Sequence, residues 1–268
     1  VVNMDVLVSA LRQEGAVAVG CIRTERLDYS GEEKSLVIAA FPYFAGSWAG
    51  NLSVYARGED YHKVLRRRME AVANGILTEY QCSADTTPLD ERRAAEIARI
   101  AMRGKNGLMI VPGVGSLVFL GSILAKDELP EIFGSATANC VGCGKCVRAC
   151  PVGAIGEDGI DAKRCLSDVT QRKGELTREE IHAIAQSGCL WGCDICQKVC
   201  PENANIPITK IAEFADDLID NLPENELILM SAGEIERKYA SRPFVWRGGN
   251  ILKRNAKILL DELGGNDK

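Results

Sequence analysis

The chain has 268 residues, with 32 Lys plus Arg against 37 Asp plus Glu, a formal charge of -5 and 46% hydrophobic residues. That balance excludes a fibre, a coiled coil and a disordered chain, and the length accommodates one or two domains with a sizeable core. What departs from the average is sulfur: of 11 Cys, nine lie between Cys140 and Cys200, while only two His occur in the whole chain.

The amino terminus, Val1-Val2-Asn3-Met4-Asp5, lacks the basic stretch, apolar core and small-residue cleavage site of a secretory signal. Leu7 and Leu11 predict a helix, and the apolar run from Ala16 to Ile22 predicts a strand after it. Ser35 to Phe41 predicts a second buried strand, ended by Pro42. From Val54 to Tyr80 the pattern predicts one long helix with Tyr61, Val64, Leu65, Val72, Ile76 and Leu77 on its apolar stripe. The next helix is predicted from Pro88, with Thr87 as N-cap, Pro88 at the first helical position and Asp90 in the first turn. Gly107 to Ala125 is a run of 19 residues without a charge, but Pro112 and four glycines interrupt it, which predicts two buried strands joined by a turn rather than a membrane span. Near the end, Ile251, Leu252, Ala256, Leu259 and Leu263 recur at helical spacing, with Gly264-Gly265 as a stop. Strands and helices alternate in the first part, which is therefore α/β or α+β, and the fold class expected for the whole chain is α+β.

Composition divides the chain into three segments: an α/β segment over 1–133, a Cys- and Gly-rich segment over 134–205, and a helical segment over 206–268. Between Arg237 and Lys257 there are seven basic residues and no acidic one, alongside Tyr239, Phe244 and Trp246. Such a stretch is either a solvated helix face with aromatic core anchors or a nucleic-acid contact. The overall pI near 5.3 argues against a protein wrapped in phosphate. Without an export signal, the expected compartment is a reducing cytoplasm, where clustered Cys hold metal more often than they form disulfides.

Cys140-x2-Cys143-x2-Cys146-x3-Cys150-Pro151 is the bacterial ferredoxin run, in which three thiolates hold one [4Fe-4S] cube and the fourth holds another. A second run, Cys193-x2-Cys196-x3-Cys200-Pro201, is one cysteine short. In the crossed arrangement Cys140, Cys143, Cys146 and Cys200 hold one cube, and Cys150, Cys193 and Cys196 hold three corners of the other. Cys165 and Cys189 are the candidates for the eighth ligand. Cys165 is favoured, because Cys189 stands only four residues before Cys193, unlike the usual two-residue gap. Zinc also accepts four thiolates, but zinc ribbons pair two separated C-x2-C units, so the pattern favours two iron–sulfur cubes. Cys21 and Cys82 are expected to be structural thiols. Electron transfer alone would be the simplest function, yet roughly 130 residues precede the clusters, which suggests that the electrons are used in place.

Several segments together resemble the epoxyqueuosine reductase family, corrinoid-dependent tRNA-modifying enzymes distantly related to reductive dehalogenases. They are Tyr55-Ala56-Arg57-Gly58-Glu59-Asp60-Tyr61-His62, Asp85-Thr86-Thr87-Pro88-Leu89-Asp90-Glu91-Arg92, Gly104-Lys105-Asn106, Gly115 to Gly121, the cluster runs with Cys165-Leu166-Ser167 and Gly192 to Gln197, and Arg254-Asn255-Ala256. The resemblance implies a cobalamin held base-off in a sandwich-like α/β domain, followed by a two-cluster ferredoxin-like domain and C-terminal helices. Electrons from an electron donor protein of ferredoxin or flavodoxin type would reach cobalt, and an acid would supply a proton as an epoxide in tRNA becomes an alkene. The resemblance puts Asp85 in the acid's place and Arg92 in that of a substrate-contacting arginine. His62, Lys105 and Asn106 fall on cofactor-side positions, Lys105 and Asn106 in a loop suited to a polar cofactor tail.

Two departures from the family stand out. Where the family carries a Gly-Leu-Gly-Trp-like stretch, this chain has Arg99-Ile100-Ala101-Met102-Arg103, which is expected to alter a pocket or extend the preceding helix. The longer members continue into a helical-repeat domain that grips tRNA, and this sequence ends at Lys268. A corrinoid reductase of a small molecule and a ferredoxin-type electron carrier are the alternative readings.

Overall fold

The computed structural model describes residues 2–136, 140–157 and 159–265, with residues 262–265 described by backbone alone. They form two compact units that interleave along the chain. The first is Val1–Ala45, Tyr61–Cys143 and Pro201–Ala215; the second is Gly46–Asp60, Gly144–Cys200 and Asp216–Lys268. The boundaries expected at 133/134 and 205/206 are linear, whereas the chain exchanges pieces between units. Residues 46–60 join the second unit through backbone bonds such as Ser53 N to Trp191 O (2.8 Å) and Ile219 N to Arg57 O (3.1 Å). Residues 201–215 join the first through Thr209 N to Phe44 O (2.7 Å) and Ser116 N to Asn203 Oδ1 (2.7 Å).

In the first unit, α1 (Met4–Gln13) begins where the Asn3 side chain accepts from the N–H groups of Asp5 and Val6, at 3.0 and 3.3 Å. The expected strands follow as β1 (Ala18–Arg23) and β2 (Ser35–Pro42). The long helix predicted from Val54 to Tyr80 is only α2 (Tyr61–Ala73). Val54–Ala56 is a separate 3-10 turn, and the helix stops at Asn74-Gly75, where Gly75 takes φ +85°. Tyr80 opens β3 (Tyr80–Ser83), a strand that the continuous apolar stripe concealed.

The helix α3 (Glu91–Ile97) also starts later than expected. Asp90, not Thr87, is its N-cap, accepting from Arg93 N at 3.0 Å, and Pro88 stays in the loop. A carboxylate there satisfies a free amide and meets the positive end of the helix at once. The Arg99–Arg103 stretch does not extend the helix, since Arg99 turns to φ +55° and the chain enters a hairpin of β4 (Met102–Arg103) and β5 (Met109–Ile110). The last strand of this unit is β6 (Val118–Ala125). The two strands expected within Gly107–Ala125 exist, but they do not pair with each other. β5 pairs with β4, while β6 lies between β2 and β3 in an antiparallel sheet of order β1-β2-β6-β3.

Both faces of this sheet are covered, which is why all eight residues of β2 are buried. Leu36, Ile38 and Ala40 pack with Ala94, Ala95 and Ala98 of α3, and α2 packs on β3 and β6. Gly121 of β6 makes that approach possible, because a Cβ there would sit 2.8 Å from the sulfur of Met69.

The second unit has little sheet. It contains α4 (Lys145–Ala149), the hairpin β7 (Ile155–Gly156) and β8 (Gly159–Ile160), α5 (Leu166–Gln171), α6 (Arg178–Ser187) and α7 (Ile195–Lys198). After α8 (Ala212–Ala215), which belongs to the first unit, it is completed by α9 (Glu224–Leu229), α10 (Ala232–Lys238) and α11 (Gly249–Gly265). Its core gathers Leu166, Ile184, Trp191, Phe244 and Leu252 with Ile251, Ala256 and Leu259, four of these from the predicted stripe of α11. That helix runs through the expected Gly264-Gly265 stop; the Leu263 side chain lies outside the described residues. The fold class is α+β, and among the described residues no helix is long and apolar enough to cross a membrane.

Candidate active site and cluster-binding segment

In the sheet unit the chemistry collects where β3 ends. Ser83 is the last residue of β3 and pairs with Ser122 of β6. Two residues later Asp85 stands exposed at φ +56°, a left-handed conformation that Asp tolerates better than most side chains. Its carboxylate accepts a hydrogen bond from the Tyr61 hydroxyl at the start of α2. Tyr61 is fixed by its ring, which lies parallel to Phe119 (4.2 Å between centroids, 4° between planes) and stacks on His62 at 4.0 Å. Phe119 in turn contacts Tyr43 at 4.3 Å and the edge of Phe214 at 5.1 Å. Offset aromatic stacks of this kind hold a phenol at a defined angle.

Below the loop, Glu91 in the first turn of α3 is 6% exposed. It accepts from the Ser122 hydroxyl at 2.5 Å and from the Asp85 amide at 2.9 Å. Burial pushes its carboxyl up to about 7, against the lowering effect of those two bonds; the charge of Asp85 adds to the rise and that of His62 opposes it. The structure thus brings together Asp85 and His62 of the expected residues, and adds Tyr61 and Glu91, which the sequence did not reveal as polar partners. Arg92 is exposed, next to Glu91 on α3. Lys105 and Asn106 lie on the β4–β5 turn, where Asn106 is 4% exposed and its side-chain oxygen accepts from Leu108 N at 3.3 Å. Cys21 and Cys82 are buried in the sheet, and burial pushes both thiols up to about 12, which keeps them protonated and inert.

The nine clustered cysteines, Cys140 and Cys143 at the end of a first-unit segment and the other seven in the second unit, are treated differently. Each of the nine between Cys140 and Cys200 is at least partly exposed, unlike Cys21 and Cys82. Gly142 and Gly144 take φ of +65° and +68°, turning the chain sharply before α4. Cys150 ends α4, and its sulfur accepts from Ala154 N at 3.2 Å. Cys165 is the N-cap of α5: burial raises its thiol, the amides of Ser167 and Asp168 lower it, and the nearby Cys150 raises it. Cys189 instead lies beside Cys193, whose other sulfur neighbour is Cys196. α4 packs against α7, which carries Cys196. Amides directed at sulfur stabilise thiolate ligands, so this donor set fits a cluster.

The turn that carries Cys193 is anchored by Asp194, whose carboxylate accepts from Ser53 Oγ (2.6 Å), Val54 N (2.7 Å) and Gln197 Nε2 (3.3 Å). Trp191 is fully buried and donates to the Tyr55 hydroxyl at 2.9 Å. The basic stretch from 237 to 257 proves to be partly structural. Arg242 binds Arg57 O (3.0 Å) and the Asp217 carboxylate (2.6 Å), and Arg254 binds Arg172 O (2.7 Å) and Gly174 O (3.1 Å). Tyr239 and Phe244 are core rings, while Trp246 is 58% exposed beneath the Arg247 guanidinium at 3.7 Å.

Comparison with known proteins places this arrangement in a class. Residues 139–203 match the family described as 4Fe-4S double cluster binding domain, so the cysteine segment is a two-cluster iron–sulfur domain. Residues 28–90 match Epoxyqueuosine reductase QueG, DUF1730. An epoxyqueuosine reductase of Bacillus cereus is 34% identical over 211 residues, covering 76% of this chain and 54% of its own. A crystal structure of epoxyqueuosine reductase with an epoxyqueuosine-modified tRNA-Tyr stem loop superposes with a TM-score of 0.82 at 25% identity, over 97% of this chain and 81% of that one. The chain belongs to the epoxyqueuosine reductase family and spans about half the length of the Bacillus cereus relative. A catabolic reductive dehalogenase, with a TM-score of 0.52 at 16% identity over 96% of this chain and 35% of that one, shares the fold alone.

Proposed function

We propose that this chain is an oxidoreductase that converts epoxyqueuosine in tRNA to queuosine. The observation that carries the reading is Asp85, presented on a left-handed turn and bonded to Tyr61, in the same chain as a two-cluster domain. Removing the epoxide oxygen consumes two electrons and two protons: both C–O bonds break, the C=C bond forms and water leaves. Asp85 delivers a proton to the departing oxygen, and the Tyr61 hydroxyl orients its carboxyl. Arg92, exposed one residue beyond Glu91, contacts the polar nucleoside.

The electrons arrive through two [4Fe-4S] clusters from a donor protein of ferredoxin or flavodoxin type. One cluster is held by Cys140, Cys143, Cys146 and Cys200. The other is held by Cys150, Cys165, Cys193 and Cys196, an assignment supported by the proximity of Cys165 to Cys150 and by the amides turned toward both sulfurs. Cobalamin, when bound, supplies the low-potential metal centre for the reduction. In the sheet unit the residues that would hold it are Lys105 and Asn106 on the polar Gly104–Gly107 turn, where Lys105 is half-buried and would meet a polar tail, and His62, whose ring stacks on Tyr61.

Anaerobic incubation of cluster-loaded protein with cobalamin, reductant and epoxyqueuosine-containing tRNA, followed by nucleoside mass spectrometry, tests the reading. Queuosine is expected. Its absence, with cobalamin bound and reduced, excludes this substrate and leaves a small-molecule reductase in its place.

A further inference from the structure

Asp85 occupies a conformation that β-carbon-bearing residues adopt rarely, and no regular element holds it there. What fixes it is Glu91. One oxygen of this carboxyl accepts from Ser122, a fully buried residue in the middle of β6, and the other accepts from the Asp85 amide. The loop is thereby tied at its reactive residue to a strand that is itself paired on both sides. A buried carboxyl is a costly way to brace a loop, since a neutral amide would supply an acceptor without desolvating a charge.

We propose that Glu91 is a positioning residue for the reaction: by bridging the Asp85 amide to β6, it fixes the turn from which Asp85 delivers its proton. The inference rests on Asp85 being the acid. The groups that face Glu91 are Ser122 from β6, Asp85 from the loop after β3 and His62 from α2. Because burial raises Glu91 to about 7, its charge is present above neutral pH and fades below it, and the bond to the Asp85 amide weakens as the charge is lost.

The test compares Glu91→Ala and Glu91→Gln, each loaded with both clusters. It reads amide hydrogen exchange of the peptide around Asp85, kcat and KM for epoxyqueuosine-containing tRNA, and the pH profile of kcat. Glu91→Ala is expected to lose protection at Asp85 and about a hundredfold in kcat, with KM within about threefold, as for a misplaced reacting group. Glu91→Gln, whose amide oxygen accepts from Asp85 N–H, is expected to keep protection and return to within about tenfold of the parent. It is also expected to lose the limb of the pH profile that falls below neutral pH.

Preserved protection in Glu91→Ala overturns the positioning role whatever the activity. Lost protection with unchanged kcat also overturns it, and Asp85→Asn then separates the causes: an active Asp85→Asn enzyme means the acid assignment was at fault. Should Glu91→Ala fail to load clusters, Glu91→Gln alone decides, and a pH profile identical to the parent's refutes the proposal.

Discussion

In the sheet unit every residue of β2 is buried among apolar neighbours, while in the cluster unit long polar side chains reach through the interior to backbone carbonyls. Asn255 donates to Thr170 O (2.7 Å) and Leu190 O (2.9 Å), and the nearly buried Arg57 donates to Leu52 O (2.8 Å) and the Asp220 carboxylate (3.0 Å). A sheet satisfies its own amides and carbonyls through its ladder, so its core can be almost wholly apolar. A unit built from short helices and turns cannot, and side chains must meet the carbonyls left over. The lesson is that polar truncations are expected to be costly in the cluster unit and mild in the sheet unit, except at buried side chains that bridge segments, such as Glu91 and Asn203.

The sharpest way to break that contrast is at sulfur. Cys165→Ser is expected to lower iron and acid-labile sulfide by about half, one cube of two, whereas Cys189→Ser retains both. Elemental analysis of anaerobically prepared protein checks this, and the opposite pattern makes Cys189 the ligand. Next in size is Asn255→Leu, which orphans two buried carbonyls and is expected to destabilise by about 4 kcal/mol in denaturant unfolding.

Glu91 gives an effect of the next order, and it depends on pH. Its folded-state value is raised from the ordinary 4.5 to about 7, so the fold favours the protonated form. Below 4.5 the group contributes nothing. As pH rises through this window the unfolded chain ionises first, and stability falls by roughly 3 kcal/mol relative to Glu91→Gln, the full deficit being present above 7. A flat difference between the two proteins from pH 4.5 to 7.5 means that Glu91 is not shifted.

Smaller still is Thr24→Val in the sheet unit. It removes one bond, from Thr24 Oγ1 to Glu33 O at 2.8 Å, for about 1 kcal/mol. Last comes Lys126→Met, which breaks surface pairs with Glu32 and Glu79 and is expected to leave the melting temperature unchanged.

Much of this was legible in the linear code. The strands at Ala18 and Ser35 and the stripe of α11 express short-range periodicity. The errors fell where two local signals competed. A continuous apolar stripe hid the break at Gly75 and the strand at Tyr80, because sheet and helix residues face the same core. Thr87-Pro88 imitates a helix start, but the Asp90 carboxylate caps the helix one turn later.

By itself the sequence determined the family, the α+β class and the cysteine segment, since thiolate spacing is set by the few bonds between neighbouring ligands. Only the tertiary structure decided that Glu91 is buried under Asp85, that Tyr61 points its hydroxyl at that acid, and that residues 46–60 belong with the cluster unit. Those outcomes depend on which distant strand or turn supplies the hydrogen-bond partner, and burial of a polar group is a property of its surroundings rather than of its place in the chain.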